Sequence, residues 1–120
     1  MKVLKEHERK NGYDYYLVER NENYAVYKQT DETNDIYAFE VFKIKNRKET
    51  EIKGRKIEAG EVFPGNEEFG KTAWSIPVFS CNFLSENEQK IRINNALDKA
   101  YKKFEELTLN YENGKLSETE

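Results

Sequence analysis

The chain has one cysteine, one histidine and two prolines in 120 residues, and it contains no long apolar run. With only Cys81, no disulfide can form within the chain, and a single thiol suits a reducing compartment, so a cytoplasmic protein is expected. His7 and Cys81 are far apart in sequence, and neither belongs to a cluster of ligands. A transition-metal site is therefore not expected. No run approaches the ~18 apolar residues of a membrane span. The opening MKVLKEHERK has no apolar core, so no secretory signal is expected there. The net charge is −3, whereas binders of duplex nucleic acid usually carry an excess of positive charge.

Catalytic signatures are missing too. The six glycines are isolated, so no phosphate-cradling loop is present, and there is no G-x-S-x-G. A catalytic thiol would need a base beside Cys81, and only the fold could bring His7 there. Glu67 and Glu68 are adjacent, whereas acid–base carboxylates must face each other across a bond. The expectation is a protein that is not an enzyme and carries no cofactor.

What is present is enough to fold one domain. Of all residues, 37% are hydrophobic, 13% aromatic and 36% charged, with both signs mixed; that is the composition of a globular chain with a solvated surface. Asn11-Gly12 is a strong two-residue hairpin signal, because both residues tolerate positive φ. It separates a first strand from YDYYLVER, in which Tyr13, Tyr15 and Leu17 share one face and Tyr16 and Val18 the other. NEN at 21–23 is a turn, YAVYKQT a third strand, and DETND at 31–35 a polar loop. IYAFEVFKIK carries large apolar groups on both faces, as a central strand does. Alternation puts Tyr37, Phe39 and Val41 on one face and Ile36, Ala38, Phe42 and Ile44 on the other.

Residues 46–71 are ambiguous. They read either as a short hairpin around Lys53-Gly54-Arg55 or as an irregular loop anchored by Ile57, Val62, Phe63 and Phe69. Phe63-Pro64-Gly65-Asn66 fits a type II turn. KTAWSI is a last strand that Pro77 stops or leaves at an edge. Ser85 and Glu88 then form a capping box. Behind it, Ile93, Leu97, Ala100, Phe104 and Leu107 recur at helical spacing, flanked by Ala96 and Tyr101. The expected architecture is α+β: an antiparallel sheet of about five strands, with one long C-terminal helix on one face. The domain is expected over 1–112, with Asn113-Gly114 ending the ordered chain and 113–120 forming a flexible tail.

GYDYYLVERNENYAVYKQ, YAFEVFKIK and GEVFPGNEEFGKTAWS, closed by ALDKAYKKFEEL, together resemble small uncharacterised proteins encoded by bacteriophages and mobile elements. Those proteins pair a Tyr-rich hairpin with an E-x-x-P-x-x-E-x-x-G-x-x-A-W segment. Its positions here are Glu61, Pro64, Glu67, Gly70, Ala73 and Trp74. The resemblance covers roughly residues 12–107 and transfers no site residue. It implies a phage context, and with it a host protein as partner.

Three surfaces are candidates for contact; in one, the 61–74 stretch, Phe63, Phe69 and Trp74 are expected to pin the ends to the sheet, leaving only the charged tip free. Residues 43–56 hold seven basic side chains, Arg47, Lys48, Arg55 and Lys56 among them, against Glu49 and Glu51. This charge is either solvated and paired within the fold or offered to a partner. Six of the eight tyrosines lie on expected strands. With the helix on one face, the other would remain as an open aromatic surface, represented by Tyr16 and Tyr27. Such a face serves protein contact or stacking on single-stranded nucleic acid. Ordinary half-buried strand tyrosines are the plainer alternative. The leading expectation is a non-catalytic interaction protein, inhibiting a host defence factor. The rival is a nucleic-acid binder using the basic segment and the tyrosine face.

Overall fold

The computed structural model describes residues 3–32, 35–64, 69–78 and 84–118. In chain order the elements are β1 (His7–Lys10), β2 (Tyr13–Arg20), β3 (Tyr24–Thr30), β4 (Ile36–Lys43), β5 (Lys45–Arg47), β6 (Thr50–Ile52), β7 (Arg55–Ile57), β8 (Gly60–Val62), β9 (Ala73–Pro77) and α1 (Glu86–Glu118). Five strands form one antiparallel sheet in the order β1-β2-β3-β4-β9. The chain is thus α+β, a five-stranded antiparallel sheet with one long helix.

Local chemistry sets the turns. Asn11 and Gly12 both take positive φ, at 55° and 84°, as a type I′ hairpin between β1 and β2 requires. At the next turn, the Asn21 side-chain oxygen accepts from the amides of Asn23 (2.9 Å) and Tyr24 (2.8 Å). The Asn21 side-chain nitrogen then donates to Thr108 Oγ1 (2.9 Å), tying this turn to α1.

The helix begins where its cap predicts. Ser85 Oγ accepts from the Glu88 amide at 3.2 Å. Asn113-Gly114 does not end it: α1 continues to Glu118. A glycine inside a helix costs only about 1 kcal/mol against alanine, too little by itself to break a long helix.

α1 lies over β3, β4 and β9. Val26, Phe39 and Val41 meet Ala96 and Ala100 there, with Ile93, Leu97, Phe104 and Leu107 packed around them. Of two register shifts in the sheet, one lies at Val18 in β2 and the other in β4. The register shifts between Gln29 and Thr30, so Thr30 pairs with Ile36 and Tyr37 is bulged out. Ile36 consequently packs with the helix-side core, while Tyr37 turns to Tyr13 (ring centroids 5.3 Å) and is 54% exposed.

The opposite face is not an open tyrosine platform. Its core contains Tyr15, Ala25, Tyr27, Phe42, Ile44 and Ala73, covered by Leu4 from the N-terminal segment and by Phe63. The Phe63 ring lies 4.9 Å from Tyr27, 5.6 Å from Phe42 and 6.0 Å from Tyr15. Tyr27 stacks on Phe42 at 5.6 Å, and its hydroxyl donates to the Lys5 carbonyl at 2.6 Å. Fully burying each such aromatic contributes about 1.5–3 kcal/mol. That gain, with a partner for the phenol, is why this face closes instead of waiting for a ligand.

Candidate interaction surface

Residues 45–62 leave the sheet as a two-tiered arm. The stem pairs β5 with β8, Lys45 opposite Val62 and Arg47 opposite Gly60. The tip pairs β6 with β7, Thr50 opposite Ile57 and Ile52 opposite Arg55. Lys53 and Gly54 close it with φ of 51° and 76°. The hairpin reading of this segment therefore holds, and it extends further than the tip. Neither ribbon joins the five-stranded sheet, and nearly every arm side chain is exposed.

The root of the arm is fastened. Arg20 Nη1 and Nη2 donate to the two Glu61 oxygens at 2.7 and 2.8 Å, and the Leu4 amide donates to Glu61 Oε1 at 3.0 Å. This fork is the strong form of a charged hydrogen bond. It holds the Glu61 carboxyl below its ordinary 4.5, with the Leu4 amide adding to the effect. The Ile44 amide donates to the Asn23 carbonyl (2.7 Å), and Pro64, just beyond β8, is buried.

The opening and closing parts of the 61–74 stretch do anchor it. Phe63 seats on the sheet. Gly70, at φ 89°, donates its amide to the Ala73 carbonyl at 2.7 Å. Phe69 is a weaker anchor, standing at the margin of exposure. Trp74 lies on the helix side of β9, half-buried, with Lys103 Nζ 4.3 Å over its ring. Gly65–Glu68, and so the predicted turn's third and fourth positions and both adjacent glutamates, lie outside the described residues.

The structure brings four of the predicted contact residues together on the arm. Arg47 donates to the Glu58 carbonyl (3.1 Å) and Lys48 is exposed in the link to β6. Arg55 stands opposite Ile52, while Lys56 meets Glu49 at 2.9 Å. Both partners of that pair are well exposed, so it adds little stability. One side of the ribbon forms an open groove lined by Arg47, Ile52, Arg55, Ile57 and Glu58. Ile52 is 53% exposed in it.

Tyr16 and Tyr27 do not join this group. Tyr27 is completely buried, so its assignment as a contact residue is corrected: it belongs to the core. Tyr16 is half-buried on the part of the helix-side face beyond α1, stacked on His7 (4.6 Å, 4°) with Lys28 Nζ 5.4 Å from its ring. His7, exposed, donates to Asp14 at 2.9 Å. Cys81 lies outside the described residues.

Sequence reading passed over Glu40. It sits at mid-strand on the inner, non-helix face of β4, opposite Tyr27 and Ser75, and is only 9% exposed. Burial raises its carboxyl above 4.5, and Lys10 partly offsets this. Burial likewise pushes the Tyr15 and Tyr27 phenols up to about 12, with the Glu40 charge adding to the effect at Tyr15. The signal was available: Glu40 is the only charge between Ile36 and Phe42.

The arm presents cations and aliphatic side chains. Among the described residues, no helix is long and apolar enough to cross a membrane. Compared with known proteins, the chain matches no family model, no curated protein and no solved structure, which neither supports nor refutes the bacteriophage resemblance.

Proposed function

We propose that this protein acts without covalent chemistry, as an interaction module whose contact element is the 45–62 arm. The observation that carries the reading is the groove at the tip. There an exposed isoleucine is framed by Arg47 and Arg55, on a ribbon that packs chiefly on itself. Arginine is enriched at protein interfaces, and the exposed isoleucine beside it supplies apolar surface to bury. The partner on this reading is a protein with an acidic surface around an apolar spot. The bacteriophage resemblance supplies its expected class: a host protein met in the host cytoplasm, with inhibition of a defence factor as the role.

Capture from the host cell with the wild-type chain and with an Ile52→Asp, Arg55→Glu variant tests this reading. A partner retained by the wild type and lost by the variant, with circular dichroism unchanged, is the expected result. Equal capture by both chains would falsify the arm as contact element.

One observation favours a second reading, nucleic-acid binding: the seven basic side chains of residues 43–56. Burial of Tyr15 and Tyr27 takes away most of the stacking surface that this reading needs. Titration of single-stranded and duplex oligonucleotides against salt separates the two. Binding that falls steeply with salt, through phosphate neutralisation, would support the nucleic-acid reading.

A further inference from the structure

The far edge of the sheet offers a second surface, away from the arm. Among the described residues, β9 pairs with β4 on one side and on the other makes only a single bridge, from Ala73 to Phe69. Its register, with the bonds from the Lys43 amide to the Thr72 carbonyl and from the Val78 amide to the Tyr37 carbonyl, fixes which backbone groups point inward. Antiparallel pairing alternates, so Trp74 and Ile76 exchange bonds with Val41 and Phe39. Ala73, Ser75 and Pro77 then direct theirs outward. The Ala73 carbonyl confirms the alternation, since it accepts from the Gly70 amide on that outer side. This leaves the Ser75 amide, the Ser75 carbonyl and the Pro77 carbonyl without a partner among the described residues. They border a groove between β9 and α1. Ile76 and Ala96 form its apolar floor, and the exposed Arg92 and Lys99 stand on its helix wall.

We infer that this edge binds an extended acidic peptide segment of a partner protein as a sixth strand. The outward backbone groups provide three hydrogen bonds in the spacing of an antiparallel strand. Side chains directly opposite each other share a face, so peptide residues beside Ile76 and Trp74 turn into the groove. Glutamate fits there: its methylenes cover Ile76 and Ala96 while its carboxylate reaches Arg92 or Lys99. The residue between two such glutamates exchanges both backbone bonds with Ser75. Charge decides against a second copy of this chain as occupant, because a two-fold contact through β9 would bring two basic walls together. Pro77 cannot donate, so the added strand is short.

The probe is a fluorescein-labelled acetyl-Thr-Glu-Thr-Glu-Thr-Glu-amide peptide, titrated against the full chain and followed by anisotropy and by backbone amide shifts. Binding is expected, with the Ser75 amide among the most shifted. N-methylation of the threonines, whose amides face β9, should weaken binding at least tenfold; N-methylation of the glutamates, whose amides face away, should leave it within about twofold. Arg92→Glu with Lys99→Glu should also weaken it at least tenfold, and the Thr-Lys counterpart peptide should not bind. The inference is overturned by absent binding at millimolar peptide, by equal effects of the two N-methylations, by indifference to the charge reversal, or by shifts confined to residues 45–62. A concentration-dependent dimer that protects the Ser75 amide would also overturn it, in favour of a second copy.

Discussion

The sheet body and the 45–62 arm are built from the same kind of element, antiparallel strands, each with a type I′ turn, at Asn11-Gly12 and at Lys53-Gly54, yet they differ in what holds them. In the body, each face of β4 meets another layer: α1 on one side, Leu4 and Phe63 on the other. In the arm, three-residue strands pair with each other, and the tip strands stay exposed while the stem is held at its root. An isolated two-stranded ribbon is marginal in water, so the arm depends on its root. The lesson is that hydrogen-bond pattern does not distinguish structural from accessible strands; burial does.

The largest blow to this contrast should come from Phe42→Ala. It removes a fully buried ring from the core that Phe63 closes, and about 3–5 kcal/mol should be lost in urea unfolding. A loss below about 1 kcal/mol would mean that the face is looser than the packing implies. Next is Glu61→Gln, which breaks the Arg20 fork at a side chain only 8% exposed. About 2–3 kcal/mol should be lost at neutral pH. The sign against pH follows from the lowered carboxyl. The wild-type contribution is complete above the ordinary 4.5 and disappears as pH falls through the lower folded value. The gap between wild type and variant should therefore narrow in acid, and a constant gap would contradict the account.

Glu40→Gln should act in the opposite direction. A carboxyl raised by burial penalises the folded state once it ionises, so stability is complete below 4.5 and declines as pH rises through the folded value. The variant should gain about 1 kcal/mol at pH 7, the scale of a relieved buried polar group, with no gain below pH 4. The smallest effect belongs to the arm: Ile52→Asp with Arg55→Glu should change stability by less than about 0.5 kcal/mol, as exposed substitutions do. A larger loss in thermal melts would show that the tip helps to hold the body.

Much of the architecture was readable from local signals. Asn11-Gly12, the two-faced apolar strand at 36–45, the Ser85 cap and the stripe from Ile93 to Leu107 each name one element and its orientation. The Tyr13/Tyr16 division of β2 was readable too, because side chains alternate wherever pairing is regular. Tyr37 and Ile36 broke the pattern because the bulge at Tyr37 arises from how β4 pairs with β3, which their own alternation does not show. Tyr27 was misplaced for a different reason. Period-two alternation says which face a residue joins, but nothing about what lies over that face. The candidate site was half legible: basic side chains at 47, 48, 55 and 56 marked the arm. Its clamp, Arg20 to Glu61, and the β9 groove with Arg92 and Lys99 join residues that no local pattern links.

The sequence by itself determined the strands, the hairpin turns and the amphipathic helix, because dihedral preference, capping and hydrophobic period act over a few residues. Only the tertiary structure decided which tyrosines are core, that β5–β8 stand apart from the sheet, and which strand lies at the sheet's far edge. Those outcomes depend on surfaces brought together from distant parts of the chain, where burying Leu4 and Phe63 on one side of the sheet outweighs leaving its aromatics in water.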